Sequence, residues 1–206
     1  MTGSIAPPAD ASQGELGRWF LRKFLRSPGS VASFWPSSRH LADAMLRGVE
    51  LPEGSAVLEF GPGTGPFTDA IAARLTPQHH YLGIDRDADF VALLRVRHPR
   101  LEVAAADVFE LPRLLADRPH LRPAAVICGL PLVAMPKPEV DGLLETVRDL
   151  LPAGGTFRTF SYLHTVVNPN QWSLKQRMRR IFPKFTVHGP VLRNLPPAFV
   201  FEGRVY

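Results

Sequence analysis

The chain has 206 residues, 45% of them hydrophobic, enough for one domain with a sizeable core plus an extension. Its 24 Lys and Arg against 19 Asp and Glu leave a formal net charge of +5, which favours an anionic partner, either nucleic acid or an anionic membrane face, although a merely basic enzyme carries the same sign. A single cysteine, Cys128, excludes an intramolecular disulfide framework, and the seven histidines accompany no C-x-x-C or H-E-x-x-H pattern, so no metal is expected.

Residues 1–12 are small, polar and Pro-containing, without the basic start and apolar run of a secretory signal. From about Gln13 to Ser27, Leu16, Trp19, Phe20 and Phe24 gather on one side of a helix, and Arg18, Arg22 and Arg26 recur on another. A basic amphipathic helix with Trp and Phe on its apolar face has the pattern of an interfacial membrane helix; a helix packed over the core with solvated arginines has the same pattern. Ser27-Pro-Gly-Ser30 ends it, so residues 1–30 are expected to form a flexible start and this helix, ahead of a domain spanning 31–206. Within Val31–Gly48, Pro36 followed by Ser37 and Ser38 makes a helix start, since serine oxygens cap free N–H groups. Leu41, Met45 and Leu46 then face inward. Ser37, Ser38 and His40 are candidates for a substrate site, or members of an ordinary capping helix.

Ser55–Gly65 reads SAVLEFGPGTG. Val57 and Leu58 close a buried strand, Glu59 is a carboxylate at its end, and Thr68–Leu75 follows with helical spacing. A strand, a glycine turn and a helix make the nucleotide-binding half of a doubly wound sheet. A dinucleotide fingerprint wants G-x-G-x-x-G. Here Gly61-Pro62-Gly63-Thr64-Gly65 is followed by Pro66, and the acid stands two residues ahead of the first glycine. This E-x-G-x-G-x-G form resembles motif I of the S-adenosylmethionine-dependent methyltransferases of the Rossmann-like class; the alternative is a structural glycine turn in another α/β protein. The resemblance implies S-adenosylmethionine as cofactor, with Glu59 beside its ammonium group.

His80–Asp85 is a second strand ending in an acid. Asp85, with Arg86 beside it, follows Gly63 by 22 residues, near the offset at which an acid reaches ribose hydroxyls. Ala88–Arg97 is a helix and Leu101–Ala106 a third strand. Asp107 at its tip is positioned to accept from the adenine amine, with Val108 against the ring. Pro112–Pro123 is a connection. Ala124–Gly129 is a fully apolar, central strand that runs into Gly129-Leu-Pro131-Leu132. Pro138–Leu151 is a helix, Thr156–Tyr162 a strand, Gln171–Arg180 a second basic helix, and Phe185–Val191 and Ala198–Tyr206 two closing strands. The expected fold is α/β, a Rossmann-like class I methyltransferase with a mostly parallel seven-stranded sheet, helices on both faces and an antiparallel C-terminal edge strand.

The turn after strand four is where the acceptor chemistry of this class is placed. Methyltransferases of nucleobase amines resemble one another there in a polar residue followed by x-Pro-aromatic. Here the proline remains without the polar side chain or the aromatic. Pro36–Ala42 (PSSRHLA), Val57–Gly65, Gly129–Leu132 (GLPL), Phe160–Tyr162 and Asn194–Ala198 (NLPPA) together resemble the small bacterial phospholipid N-methyltransferases, which act on phosphatidylethanolamine or, in related members, on ornithine lipids. The resemblance covers about Val31 to the C-terminus. It implies a lipid amine N-methyltransferase, peripheral on the inner face of an anionic membrane through its N-terminal helix.

In such a reaction the amine attacks the sulfonium methyl group in line. An unperturbed amine titrates near 10, so the site must favour its neutral form. Tyr162 and His164 are the catalytic candidates, or else a core tyrosine and a loop histidine. A lipid phosphate wants arginine or lysine, and Arg158, Lys175, Arg177, Arg179, Arg180 and Arg193 are candidates, with Pro131 lining the substrate turn. The alternatives are an rRNA adenine N6-dimethyltransferase-like enzyme and a non-catalytic, cofactor-binding recruiter to membranes.

Overall fold

The computed structural model describes residues 38–165 and 167–206; the amphipathic segment Gln13–Ser27 and Ser37 lie outside the described residues. Helix α1 (Arg39–Leu46) begins at Ser38, whose Oγ accepts from the Leu41 N–H at 3.2 Å, and it buries Leu41, Ala42, Met45 and Leu46 on one stripe. Strand β1 (Ala56–Phe60) is buried along its whole length. Next come α2 (Pro66–Ala72), with proline in its first turn where no N–H is missed, and β2 (His80–Asp85). Then α3 (Ala88–Arg97) starts at Asp87, whose carboxylate accepts from the Asp89 N–H, and leads to β3 (Glu102–Ala105).

A short helix, α4 (Leu111–Ala116), occupies the stretch expected as a connection. Leu111 is fully buried and Leu114 and Leu115 pack against the same core, an i, i+3, i+4 spacing that a six-residue helix repeats too few times to stand out in the sequence. Strand β4 (Pro123–Cys128) is fully buried and central, as its apolar run requires. The rest is α5 (Lys137–Leu150), β5 (Thr156–Tyr162), α6 (Pro169–Ile181), β6 (Lys184–Val191) and β7 (Ala198–Arg204).

The seven strands follow the order β3-β2-β1-β4-β5-β7-β6. Strands β1 to β5 are parallel, and β7 pairs antiparallel with both β5 and β6. The antiparallel C-terminal strand therefore lies second from the edge rather than at it. The chain makes β6 first, running with the parallel set, and returns through β7 to fill the gap beside β5.

Both faces of the sheet are covered. Leu41, Met45, Phe67, Ile71, Val91 and Leu94 pack with Val57 and Ile127 on one face. Leu143, Leu144, Val147, Leu174 and Phe182 pack with Leu58, Val126 and Phe157 on the other. Arg158, one of the candidates for a lipid phosphate, is a correction. It is 2% exposed, pairs with buried Glu202 on β7 and donates to the Ala44 carbonyl of α1 at 3.1 Å. His188 and Arg204 also reach Glu202. A charge this deep in the core must be met by an internal counterion, so Arg158 ties α1 to the sheet.

Candidate active site

The turn after β1 needs glycine at each of its three marked positions. Gly61, Gly63 and Gly65 have φ of 63°, 54° and 87°, the left-handed region where a side chain is strained. A Cβ on Gly61 would lie 2.6 Å from Leu130, and one on Gly129 would lie 2.7 Å from the Gly61 carbonyl oxygen. The Gly129 N–H donates to the Phe60 carbonyl at 2.7 Å. The turns after β1 and β4 thus touch backbone to backbone. At Gly63 a Cβ would meet nothing within 4 Å, so the turn opens onto free space there. Pro62 accepts from the Gly65 N–H at 2.9 Å and Thr64 from Arg97 at 2.6 Å, which hold the remainder of the turn.

Three carboxylates stand at or beside the carboxyl ends of β1, β2 and β3. Glu59 is fully buried. Its Oε2 accepts from the Thr68 hydroxyl at 2.9 Å and the Tyr81 hydroxyl at 2.6 Å, while its buried Oε1 has no hydrogen-bond partner. Burial outweighs those two bonds and pushes its pKa up from 4.5 to about 7. Asp85 Oδ2 accepts from the Gly63 N–H and Oδ1 from the Asp87 N–H, both at 2.9 Å. Burial raises its pKa above the ordinary carboxylate value. Asp107 caps the single turn Val108–Glu110 through the Phe109 N–H at 3.0 Å and pairs with exposed Arg86 at 3.5 Å. Val108 is buried, and Phe109 beside it is 44% exposed. Phe109 carries no signal of its own in the sequence; its exposure follows from the single turn that Asp107 caps.

The residues expected at the acceptor lie on three loops. After β4, Leu132 is buried and Leu130 and Pro131 are partly exposed, so this turn presents apolar surface. After β5, Tyr162 is half-buried, meets Phe160 edge-on at 5.4 Å and stacks on exposed His164 at 5.6 Å. Burial raises the Tyr162 pKa, so its phenol stays protonated at neutral pH. Between β6 and β7, Asn194 is 2% exposed; its Oδ1 accepts from the Ser38 N–H at 2.8 Å and its Nδ2 donates to the Pro196 carbonyl at 2.7 Å. The N-L-P-P-A segment therefore fastens the start of α1, and the Ser38 hydroxyl is occupied as that helix's cap. Arg193 is exposed on this loop, at a groove of about 930 Å³ between α1 and β6 that His40, Lys184 and His188 also line.

The groups present suit a cationic, ribose-bearing ligand. A buried carboxylate oxygen has no partner, a second carboxylate is hydrogen-bonded to the glycine turn, and open space adjoins Gly63. With the sheet order above, they define a class I S-adenosylmethionine-dependent methyltransferase.

A family model described as a methyltransferase domain matches residues 57–155. Human methyltransferase-like protein 13, solved in complex with S-adenosylhomocysteine, superposes with a TM-score of 0.55 at 18% identity, covering 82% of this chain and 79% of that one. An ornithine lipid N-methyltransferase of Singulisphaera acidiphila is 34% identical over 183 residues, 87% of this chain and 91% of that protein. The chain belongs to this family of bacterial lipid N-methyltransferases. Ribosomal RNA small subunit methyltransferase A of Synechococcus sp. (strain CC9311) is 32% identical over 81 residues, covering 38% of this chain and 28% of that protein.

Proposed function

We propose that this chain methylates the amine headgroup of a membrane lipid, an ornithine lipid or phosphatidylethanolamine, at the inner face of an anionic membrane. The identity of 34% to an ornithine lipid N-methyltransferase, running through 91% of that protein, carries this reading. The acceptor turn supports it. Leu132, at the position where a nucleobase enzyme needs an exposed stacking aromatic, is a buried aliphatic residue. No described helix is long and apolar enough to cross a membrane. In this reading the basic amphipathic stretch 13–27 attaches the enzyme peripherally.

Bound S-adenosylmethionine supplies the electrophilic methyl group. The chain holds it with Asp85 at the ribose hydroxyls, Asp107 and Val108 at the adenine, and Glu59 with the turn Gly61–Gly65 and Gly129 around its charged end. At the acceptor, Tyr162 orients the amine and His164 takes the proton that the ammonium must lose before its lone pair can attack. Alignment of amine and methyl within the apolar turn lowers the rest of the barrier. Arg193 faces the anionic part of the headgroup, with Ser37 and Pro131 completing the lipid site.

The test is incubation with labelled S-adenosylmethionine and, separately, ornithine lipid, phosphatidylethanolamine and ribosomal RNA. Label in an amine lipid and none in RNA is expected; label in RNA alone would overturn the reading.

A further inference from the structure

Helix α6 buries one stripe, made of Gln171, Leu174, Met178 and Ile181, the spacing of a single helix face. Three members are apolar, and the first is a glutamine with 0% exposure. A buried amide is destabilising unless its hydrogen bonds to water are replaced. Here only half of it is satisfied: Nε2 donates to the Ser161 hydroxyl at 2.9 Å, while the buried Oε1 has no hydrogen-bond partner. An apolar side chain would fill the same stripe without leaving that oxygen orphaned, so the packing of α6 does not account for the glutamine.

Its bond to Ser161 is the first of three in a row. The Ser161 and Thr165 hydroxyl oxygens are 2.9 Å apart, and Thr165 Oγ1 donates to the Tyr162 carbonyl at 2.7 Å. A carbonyl can only accept, so it takes the Thr165 hydrogen; Thr165 then accepts from Ser161, and Ser161 from the amide. Each side chain gives one hydrogen, and all three bonds form only with Nε2 of Gln171 facing Ser161. The row leads from a helix rooted in the core to the single turn Leu163–Thr165 that leaves β5. The Asn168 N–H, donating to the Thr165 carbonyl at 2.8 Å, closes the far side of that turn. His164 is the middle residue of the turn, exposed, with its ring stacked on Tyr162 at 5.6 Å and 14° between the planes. Among the described residues no hydrogen bond reaches the His164 ring, so the stack and the turn beneath it decide where the imidazole stands.

We propose that Gln171 is a positioning residue: through Ser161 and Thr165 it fixes the turn that holds His164 against Tyr162. The proposal rests on the lipid-amine reading for what those two rings do, and it adds the internal support that sets their relative placement.

The experiment uses the full chain, with ornithine lipid or phosphatidylethanolamine in detergent micelles. Gln171→Met keeps the stripe filled and removes the orphaned oxygen, so the melting temperature should equal or exceed the parental value. Cofactor affinity and the lipid KM should be unchanged, and kcat should fall about tenfold or more, as misplacement of a reacting group requires. Thr165→Val, at a half-buried position, should lose kcat to the same extent, and Thr165→Ser, which keeps the hydroxyl, should retain it. Adding Gln171→Met to His164→Ala should cause no further loss, because both act at one point. Parental kcat in Gln171→Met, a further loss in the double variant, or equal rates for Thr165→Val and Thr165→Ser overturns the proposal. A second readout needs no turnover. The ring-proton resonances of His164, assigned by their absence in His164→Ala, should move toward those of free histidine in Gln171→Met and Thr165→Val as the stack loosens; unmoved resonances also overturn the proposal. Moved resonances with no amine lipid methylated by the parental chain uphold the positioning and sink the lipid reading. Parental methylation with kcat and resonances unchanged in Gln171→Met discards the positioning and leaves the lipid reading standing.

Discussion

Asp85 serves the turn and, in the function proposed above, the cofactor as well. One oxygen holds the Gly63 N–H and the other the Asp87 N–H, and each oxygen keeps a second lone pair for a ribose hydroxyl. Asp85→Ala should raise the calorimetric dissociation constant for S-adenosylmethionine about 10²-fold, from loss of hydrogen bonds to a charged group worth about 1.5–3 kcal/mol each. With Glu59 beside the cofactor's charged end, as proposed, binding should be sensitive to pH. Its folded pKa of about 7 lies above the ordinary 4.5, so between those values the folded chain binds the extra proton. Stability from this group is complete below about pH 4.5 and declines as pH rises through 7. A cationic ligand favours the carboxylate. Binding at pH 6.5 should therefore release up to one proton, read by calorimetry in buffers of different ionisation enthalpy, and Glu59→Gln should abolish the release. His164→Ala should lower kcat about 10²-fold with cofactor affinity intact; a wild-type pH–rate profile in the variant would remove it from proton transfer.

At the scale of elements, Arg158 joins α1, β5 and β7 through Glu202 and the Ala44 carbonyl. Arg158→Ala leaves Glu202 with Arg204 and His188 but strips its buried counterion, and should cost about 3 kcal/mol in denaturant unfolding. The Arg158→Met variant, which leaves the same carboxylate, should cost a comparable amount. This residue also marks where the sequence ceased to be readable. A lone arginine on a strand looks the same whether it faces phosphate or a carboxylate 44 positions away on the next strand but one in chain order. The glycine turn, by contrast, was legible because each glycine answers a local backbone demand and the acids Asp85 and Asp107 stand at or just after the ends of short apolar strands. Asn194 fell between the two. Its motif was recognisable, but its bond to Ser38 is a contact across 156 positions. The placing of β7 between β5 and β6 was likewise hidden, because strand order depends on pairing rather than on either strand's own composition.

For the molecule as a whole, the carboxyl ends of the parallel strands carry the residues assigned above to cofactor and acceptor, and Ser38 is held by Asn194 of the loop at the same end. Removing residues 1–27 should leave a folded core with unchanged cofactor affinity and weaken binding to phosphatidylglycerol vesicles about 10-fold or more in a sedimentation assay, because an amphipathic segment adds buried apolar area and charge. In the function proposed above the sheet is also two halves, one for the methyl donor (β1 to β3) and one for the acceptor (β4 to β7), and the two meet where Gly129 rests on the Gly61 backbone. No side chain separates them, so that contact acts as a fixed gauge for the reaction distance. A single methyl group inserted there, as in Gly129→Ala, would set the gauge wider by a fraction of an ångström. An in-line transfer, whose reacting atoms must approach to about 3 Å, registers such a change in rate before it registers in either binding constant.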